Sequence, residues 1–213
     1  MCKIIVMANQ KGGVAKTSST RNLAYSLAEL GKKVLAVDFD PQTNLTISFG
    51  VAPAALQETA ASLMMKLVMD EALPEKESCI LNIGKVDLLP SKKTLTVAEV
   101  NLLIERKDDC LAKLLAPLRA DYDYILVDTG PSLGSLTINA FTAADEIIIP
   151  VDPELFALVG LKELTETISK IKQNLNPKVE IIGILNGYSG LINGDYKEMC
   201  EDDFRGILTL GGT

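Results

Sequence analysis

A chain of 213 residues that is 47% hydrophobic is long enough to enclose a full core, and one domain over residues 1–213 is the expectation. It contains no histidine, which excludes histidine-based triads, imidazole acid–base catalysis and histidine-ligated metals. Its 28 acidic against 21 basic residues leave a net charge of −7, a poor overall field for nucleic acid, so any DNA contact requires a local basic patch.

Cys2, Cys79, Cys110 and Cys200 are scattered without a C-x-x-C pair, which argues against zinc or iron–sulfur binding and fits a reducing cytosol. No basic and apolar leader opens the chain, and no uninterrupted apolar stretch is long enough to span a bilayer. A cytoplasmic protein with no membrane partner is therefore expected.

Ile4-Ile5-Val6-Met7-Ala8 reads as a buried strand. It runs into Asn9-Gln10-Lys11-Gly12-Gly13-Val14-Ala15-Lys16-Thr17-Ser18, and an amphipathic segment begins near Thr17. Strand, glycine-bearing loop and helix in that order aim backbone N–H groups and the positive end of a helix dipole at one spot, which suits phosphate. Lys16 adds a point charge for terminal phosphates, and the Thr17 hydroxyl can ligand Mg²⁺. Against the ordinary phosphate-loop pattern G-x-x-x-x-G-K-S/T, Gln10 replaces the first glycine and Ala15 the second. If position 15 demands positive φ, alanine costs about 1 kcal/mol there. Weakened affinity is the expected consequence at most, because one methyl group blocks no backbone donor.

Leu23, Leu27 and Leu30 share a helical face with Ala24 and Ala28, and Gly31 stops that helix. Val34 to Val37 reads as a strand buried on both faces, since it does not alternate with polar residues. Asp38-Phe39-Asp40-Pro41-Gln42 follows directly, and alternation puts Asp38 and Asp40 on one side with Phe39 turned away. Residues 51–84 read as loops and one short helix around Leu63 to Met69. Val86 to Pro90 looks like a strand ended by proline. Between residues 100 and 118, Val100, Leu103, Ile104, Leu111, Leu114, Leu115 and Leu118 keep helical spacing, predicting a helix with those side chains on its apolar face.

Tyr124 to Asp128 and Glu146 to Val151 read as further buried strands. The first leads into Asp128-Thr129-Gly130-Pro131-Ser132. A carboxylate after a buried strand, on a loop with glycine and proline, matches the Walker B and switch pattern. Asp128 would hold Mg²⁺ through a water, and Gly130 would lie near a γ-phosphate. Leu155, Leu158, Val159, Leu164, Ile168, Ile171 and Leu175 define a long helix stopped near Asn176-Pro177, and Val179 to Leu185 is the last strand. Strands separated by helices of this length predict an α/β fold with a mostly parallel, twisted sheet and helices on both faces. Ligands on such sheets sit at the carboxyl ends of the strands, where the loop already lies.

The loop resembles the deviant Walker A form K-G-G-x-G-K-S/T of the ParA/MinD group of P-loop ATPases. Asn9 through Gly13, Asp38 through Gln42, Tyr122-Asp123-Tyr124, Pro131 through Gly134, Ile149-Pro150-Val151, and Phe156-Ala157-Leu158 with Gly160-Leu161 all resemble ParA/Soj partition ATPases. The likeness runs over residues 3–187, and Asp-x-Asp-Pro-Gln separates the chain from MinD-type relatives. The resemblance implies an ATP-dependent dimerisation switch with slow ATP hydrolysis, acting in plasmid or chromosome partitioning with ATP and Mg²⁺. It implies that Gly12, Gly13, Val14, Ala15, Lys16, Thr17 and Ser18 bind phosphate and metal, and that Lys11 reaches across a homodimer to the other subunit's nucleotide. It further implies that Asp40 orients or activates the attacking water, that Asp38 and Asp128 support the metal, and that Asn186 falls near adenine. Implied partners are a ParB-like stimulating protein and, through non-specific contacts, the DNA of the nucleoid.

Two departures stand out. Gly130 replaces the first proline of the usual Asp-x-Pro-Pro, which makes that loop more flexible. From about residue 187 the chain is short or diverged, with Lys197 and Arg205 as the basic residues after Lys178 and no basic amphipathic segment for a membrane. Three other readings stay open: a ParA-like ATPase positioning another cargo without DNA, a nucleotide-binding scaffold with little hydrolysis, and a metabolic kinase or transferase on the same loop. Lys11 speaks against the last, since a second lysine there has no obvious use inside a monomer.

Overall fold

Three strands carry the centre of the molecule: β1 (Lys3–Met7), β2 (Val34–Phe39) and β5 (Tyr124–Thr129). All six residues of β2 are buried, which is why its first four, Val34 to Val37, are a continuous apolar run instead of an alternating one. Around them lie β3 (Leu81–Ile83), β4 (Val86–Leu89), β6 (Glu146–Val151) and β7 (Glu180–Asn186). The computed structural model describes residues 1–151 and 157–186, without the side chains of 157–159 and 184–186. Among the described residues these seven strands form one sheet in the order β3-β4-β2-β5-β1-β6-β7. The short β3 runs antiparallel to β4, and the other neighbours are parallel.

Helices cover both faces. On one lie α1 (Lys16–Glu29) and α2 (Asn44–Ser48), enclosing a core of Ile5, Ala24, Ala28, Ala36, Leu45 and Leu126. Ala24 and Ala28 are small enough to let α1 lie close to the sheet. The opposite face carries α3 (Ala60–Val68), α4 (Leu95–Glu105), α5 (Cys110–Leu115), α6 (Ser135–Ala143) and α7 (Ala157–Asn174). There the inward residues of the same strands, among them Ile4, Val6, Leu35, Val37, Ile125 and Val127, meet Leu111, Phe141 and Ile168. The mostly parallel sheet with two helical layers is the architecture that the alternating pattern predicts.

The structure differs from the sequence reading in several places, beginning with Leu30, which ends α1 and is exposed instead of sharing the inward face of Ala24 and Ala28. The segment 51–84 contains β3 as well as helix, because Leu81–Ile83 pairs across a tight turn with Val86–Leu88. A further helix, α2, follows Gln42 within three residues. The helix expected over residues 100–118 is two helices, broken where Arg106 takes φ +52° and Lys107 N–H bonds back to Leu102 O at 3.0 Å, a left-handed helix end. The face turned inward on α4 is also not the expected one. Leu95, Ala98 and Leu102 are buried, while Val100, Leu103 and Ile104 are 52%, 69% and 67% exposed. Both sets obey helical spacing, so periodicity could not choose between them. Farther on, Leu111, Leu114, Leu115 and Leu118 are buried as expected.

Leu164, Ile168 and Ile171 of α7 are buried, matching the spacing, whereas Leu175, just past the helix end, is exposed. Leu155 and the side chains of Leu158 and Val159 lie outside those described. So do Cys200 and the segment from residue 187. Cys2, Cys79 and Cys110 are buried free thiols. No helix among the described residues is long and apolar enough to cross a membrane.

The rotated face of α4 has a measurable consequence. Leu102→Ala should lower unfolding free energy by about 2–5 kcal/mol through the cavity it leaves, whereas Leu103→Ala should change it by no more than about 0.5 kcal/mol. Urea midpoints of the two variants decide it, and equal losses would place Leu103 in the core.

Candidate nucleotide site

The site is assembled where β1, β2 and β5 end. β1 gives way to Asn9, whose side-chain amide donates to Pro150 O at 2.6 Å while its Oδ1 accepts from the Lys11 amide at 2.9 Å. Asn9 thus ties the start of the loop to the end of β6, a role the sequence reading did not give it. Gly13 takes φ +81° and Ala15 φ +63°. The conditional expectation for position 15 is therefore met: alanine occupies a left-handed conformation in which a Cβ is unfavourable. A Cβ added at Gly12 or Gly13 would meet nothing within 4 Å, so the loop opens onto free space.

Helix α1 then begins without a side-chain cap and without an acidic residue in its first turn. Its first intrahelical bond is Ser19 N–H to Ala15 O at 2.8 Å, so the amides of Lys16, Thr17 and Ser18 precede the helical ladder and suit an anion. Lys16 is buried, 8% exposed, and its Nζ donates to the carbonyls of Asn9 at 2.9 Å and Lys11 at 3.0 Å. Burial holds this ammonium below the usual lysine range, opposed by the charges of Asp128 and Asp40.

Carboxylates approach from the neighbouring strands. Asp38 and Asp128 are register partners on β2 and β5, and both are fully buried. Thr17 Oγ1 donates to Asp128 Oδ2 at 2.6 Å, joining the first turn of α1 to the end of β5. Asp38 accepts from Thr46 Oγ1 at 2.6 Å, from the Thr46 amide at 2.8 Å and from the Asp40 amide at 3.2 Å. Its oxygens therefore order the segment leading into α2. Phe39 is turned into the opposite core, as alternation requires.

Asp40 is buried and accepts from the Gln42 amide at 2.9 Å. Gly130 lies against it: a Cβ there would sit 3.2 Å from Asp40 Oδ1. Thr43, buried and β-branched, takes φ +60° just beyond. Such strain persists only where the surroundings hold it, and it clusters at functional sites.

Burial pushes the Asp38 carboxyl up to about 6, with the Thr46 hydrogen bonds pulling it down. Burial also pushes Asp128 up to about 7, aided by Asp38 and Asp40 and opposed by Thr17 and Lys16. Converging negative charge of this kind is relieved by a cation. Among the described residues no group of three or more His, Cys, Asp or Glu side chains could by itself hold a metal. A hydroxyl with one or two carboxylates beside a phosphate loop nevertheless suits Mg²⁺, which keeps waters and takes other oxygens from substrate phosphates.

The sequence-predicted residues Lys11 through Ser18, Asp38, Asp40, Asp128 and Gly130 thus gather at one end of the sheet. Asn186 ends β7, and its side chain lies outside those described. The reading missed Asn9, Thr20 and Thr46. Thr20 follows Thr17 by one helical turn and was findable by period; Thr46 acts through a turn that no local pattern announces.

A parallel sheet with a lysine-bearing glycine loop between β1 and α1, and buried aspartates ending the adjacent strands, defines a phosphate-loop nucleotide-binding domain. The AAA domain family AAA_31 matches residues 2–181, and the chain belongs to this family in its ParA/MinD-type form. An uncharacterized protein of Mycobacterium tuberculosis is 42% identical over 186 residues, 86% of this chain. The chain spans 57% of that relative's length. The sporulation initiation inhibitor protein Soj of Bacillus subtilis is 38% identical over 186 residues, 87% of this chain and 72% of Soj. A structure described as cobyrinic acid a,c-diamide synthase from Mycobacterium smegmatis, with bound ADP and magnesium, superposes with TM-score 0.86 at 33% identity, covering 96% of this chain and 82% of that one. A plasmid partition protein of Borrelia burgdorferi bound to AMPPNP gives TM-score 0.78 at 30% identity, over 95% of this chain and 80% of that one.

Two predictions follow from the strained loop and the buried acids. Ala15→Gly relieves about 1–2 kcal/mol of left-handed strain but loosens the unfolded chain by about 0.4–1 kcal/mol. A net gain of about 0.5–1 kcal/mol is expected in urea unfolding, and a loss would show that the strain is not there. Asp128 binds its proton more tightly folded, at about 7, than unfolded, at about 4. Its burial is therefore without penalty below the lower value and increasingly destabilising as pH rises through the higher one. Without nucleotide or metal, Asp128→Asn should match the parent at acidic pH and exceed it at pH 8 by up to about 4 kcal/mol. Equal urea midpoints at pH 8 would contradict this.

Proposed function

We propose that this chain is an ATP-dependent switch: it binds ATP with Mg²⁺, pairs with a second copy, hydrolyses the nucleotide slowly and acts in DNA partitioning. The observation that carries the reading is the Thr17–Asp128 hydrogen bond at 2.6 Å, with buried Lys16 beside it, because it joins phosphate loop and strand-end carboxylate into one site. The likenesses to Soj and to the B. burgdorferi plasmid partition protein support the partitioning role. The ADP and magnesium named for one structural neighbour, and the AMPPNP named for another, support the choice of ligand.

In this reading the residues of the site take the following roles. Gly12, Gly13, Val14, Ala15 and the amides of Lys16, Thr17 and Ser18 line the phosphates. The Lys16 ammonium leaves the carbonyls of Asn9 and Lys11 for phosphate oxygens, exchanging neutral acceptors for charged ones. Thr17 and Asp128 hold Mg²⁺, with Asp38 supporting the segment beside it; when bound, the ion neutralises charge on the phosphates. Asp40 holds the attacking water, and Gly130 leaves room for the terminal phosphate beside Asp40. Asn186 stands near the base. Lys11 completes the site of the other protomer. Phosphoryl transfer asks little covalent chemistry of the protein, so positioning and electrostatics suffice. Turnover is slow until a ParB-like partner stimulates it, in the cytoplasm and at the nucleoid.

Sizing the protein with a slowly hydrolysed ATP analogue tests the switch. The parent should become a dimer, and Lys11→Ala should bind the analogue yet stay monomeric; an intact dimer of that variant removes the shared site. Asp40→Ala should slow steady-state phosphate release at least about tenfold, and equal rates would leave a nucleotide-binding scaffold. ATP-dependent, salt-sensitive binding to arbitrary duplex DNA separates the partition role from another cargo. The likeness to the M. smegmatis structure favours a second reading, an ATP-dependent amide synthase. That enzyme would release phosphate only with an acid and an amine donor present, whereas the switch turns over without them.

A further inference from the structure

Gly134 is the residue at which the loop after β5 turns into α6, and its φ −79° and ψ −171° are open to any amino acid. Glycine is not there for backbone freedom. It is there for room, because a Cβ would overlap Oε1 of Glu99 and lie 3.3 Å from its Cδ. Glu99 projects from α4, half-buried, onto the first turn of α6, where the pull of the Leu136 amide on its carboxylate marks that N–H as a neighbour. Helix α6 has no side-chain cap of its own at Gly134. A neighbouring helix thus brings a carboxylate to the place where an N-cap residue's acceptor ordinarily sits.

The loop between is tethered at several points. Thr129 Oγ1 donates to Met7 O at 2.8 Å, Thr137 Oγ1 donates to Ser132 O, and Gly130 lies against Asp40. Asp40 is also close enough for its charge to act on Glu99. One side chain of α4 therefore reaches the far end of the loop whose near end contacts the carboxylate proposed to hold water.

We propose that Glu99 is a positioning residue: by clamping the start of α6 it fixes the Gly130–Gly134 loop against Asp40. This rests on the hydrolysis reading for its consequence but not for its geometry. The loop then presents Gly130 to Asp40 in one arrangement, so that Asp40 stays aimed into the site. Release of the clamp frees the loop without removing any group that would touch the nucleotide.

Amide hydrogen exchange of the nucleotide-free protein across residues 130–137, together with steady-state ATP turnover, tests the clamp in Glu99→Ala, Glu99→Gln, Gly134→Ala and the Ala/Ala double variant. Glu99→Ala should speed exchange at Leu136 about tenfold and lower kcat about fivefold with KM for ATP within about twofold. Glu99→Gln keeps an oxygen for the same N–H and should retain both. Gly134→Ala should displace the carboxylate, the mobile end of a flexible side chain, and reproduce Glu99→Ala. The double variant should be no worse than either single. Unchanged exchange in Glu99→Ala, a Gln variant as impaired as Ala, or effects that multiply in the double variant would overturn the proposal. A parent that releases no phosphate would remove the hydrolysis reading, and the exchange comparison would still decide the clamp.

Discussion

Two aspartates side by side at the ends of β2 and β5, in register and shut off from water, are the constraint around which this end of the molecule is arranged. Charge buried in such a place is tolerated only if it is hydrogen-bonded, neutralised or met by a cation. Each is met from a different direction. Thr17 and Thr20 of α1 turn toward Asp128, at 2.6 and 3.5 Å, and Thr46 of α2 turns toward Asp38. The ammonium of Lys16 lies within electrostatic reach. The loop, the first helix and the second helix are placed by what these two carboxyl groups require.

The same arrangement explains why the fold is wound as it is. A parallel sheet with β1 between β5 and β6 brings three strand ends and the following loops to one edge. The glycine loop can then face carboxylates that are 22 and 112 residues beyond Lys16 in sequence. Asn9 fixes the loop to β6 from the other side. Strain at Ala15 and Thr43 lies on either side of this centre, as expected where surrounding structure holds a backbone in an uncommon conformation.

Much of this was legible because the information is local. Residues 9–18 carry their own strand, loop and helix signals, and both aspartate motifs follow apolar runs whose period fixes which way each side chain points. Even the positive φ of Ala15 could be named as a condition. What sequence could not show depends on contacts between distant segments. The register that sets Asp38 opposite Asp128, the Thr46 hydrogen bonds and the reach of Glu99 to α6 are of this kind. Helix α4 failed for another reason: Leu95–Glu105 is apolar on more than one face, so the buried side was chosen by packing against neighbours. The three-residue β3 is too short to have a period at all.

The central claim is that the loop and the paired aspartates form one site for a magnesium-bound adenosine triphosphate. Isothermal titration calorimetry of the folded protein with ATP and Mg²⁺ tests it most directly. Saturable heat at one nucleotide per chain, strongly reduced in Lys16→Ala and absent without triphosphate, is the expected result. Well-folded protein that gives no heat, or a Lys16→Ala variant that binds as tightly as the parent, would contradict it.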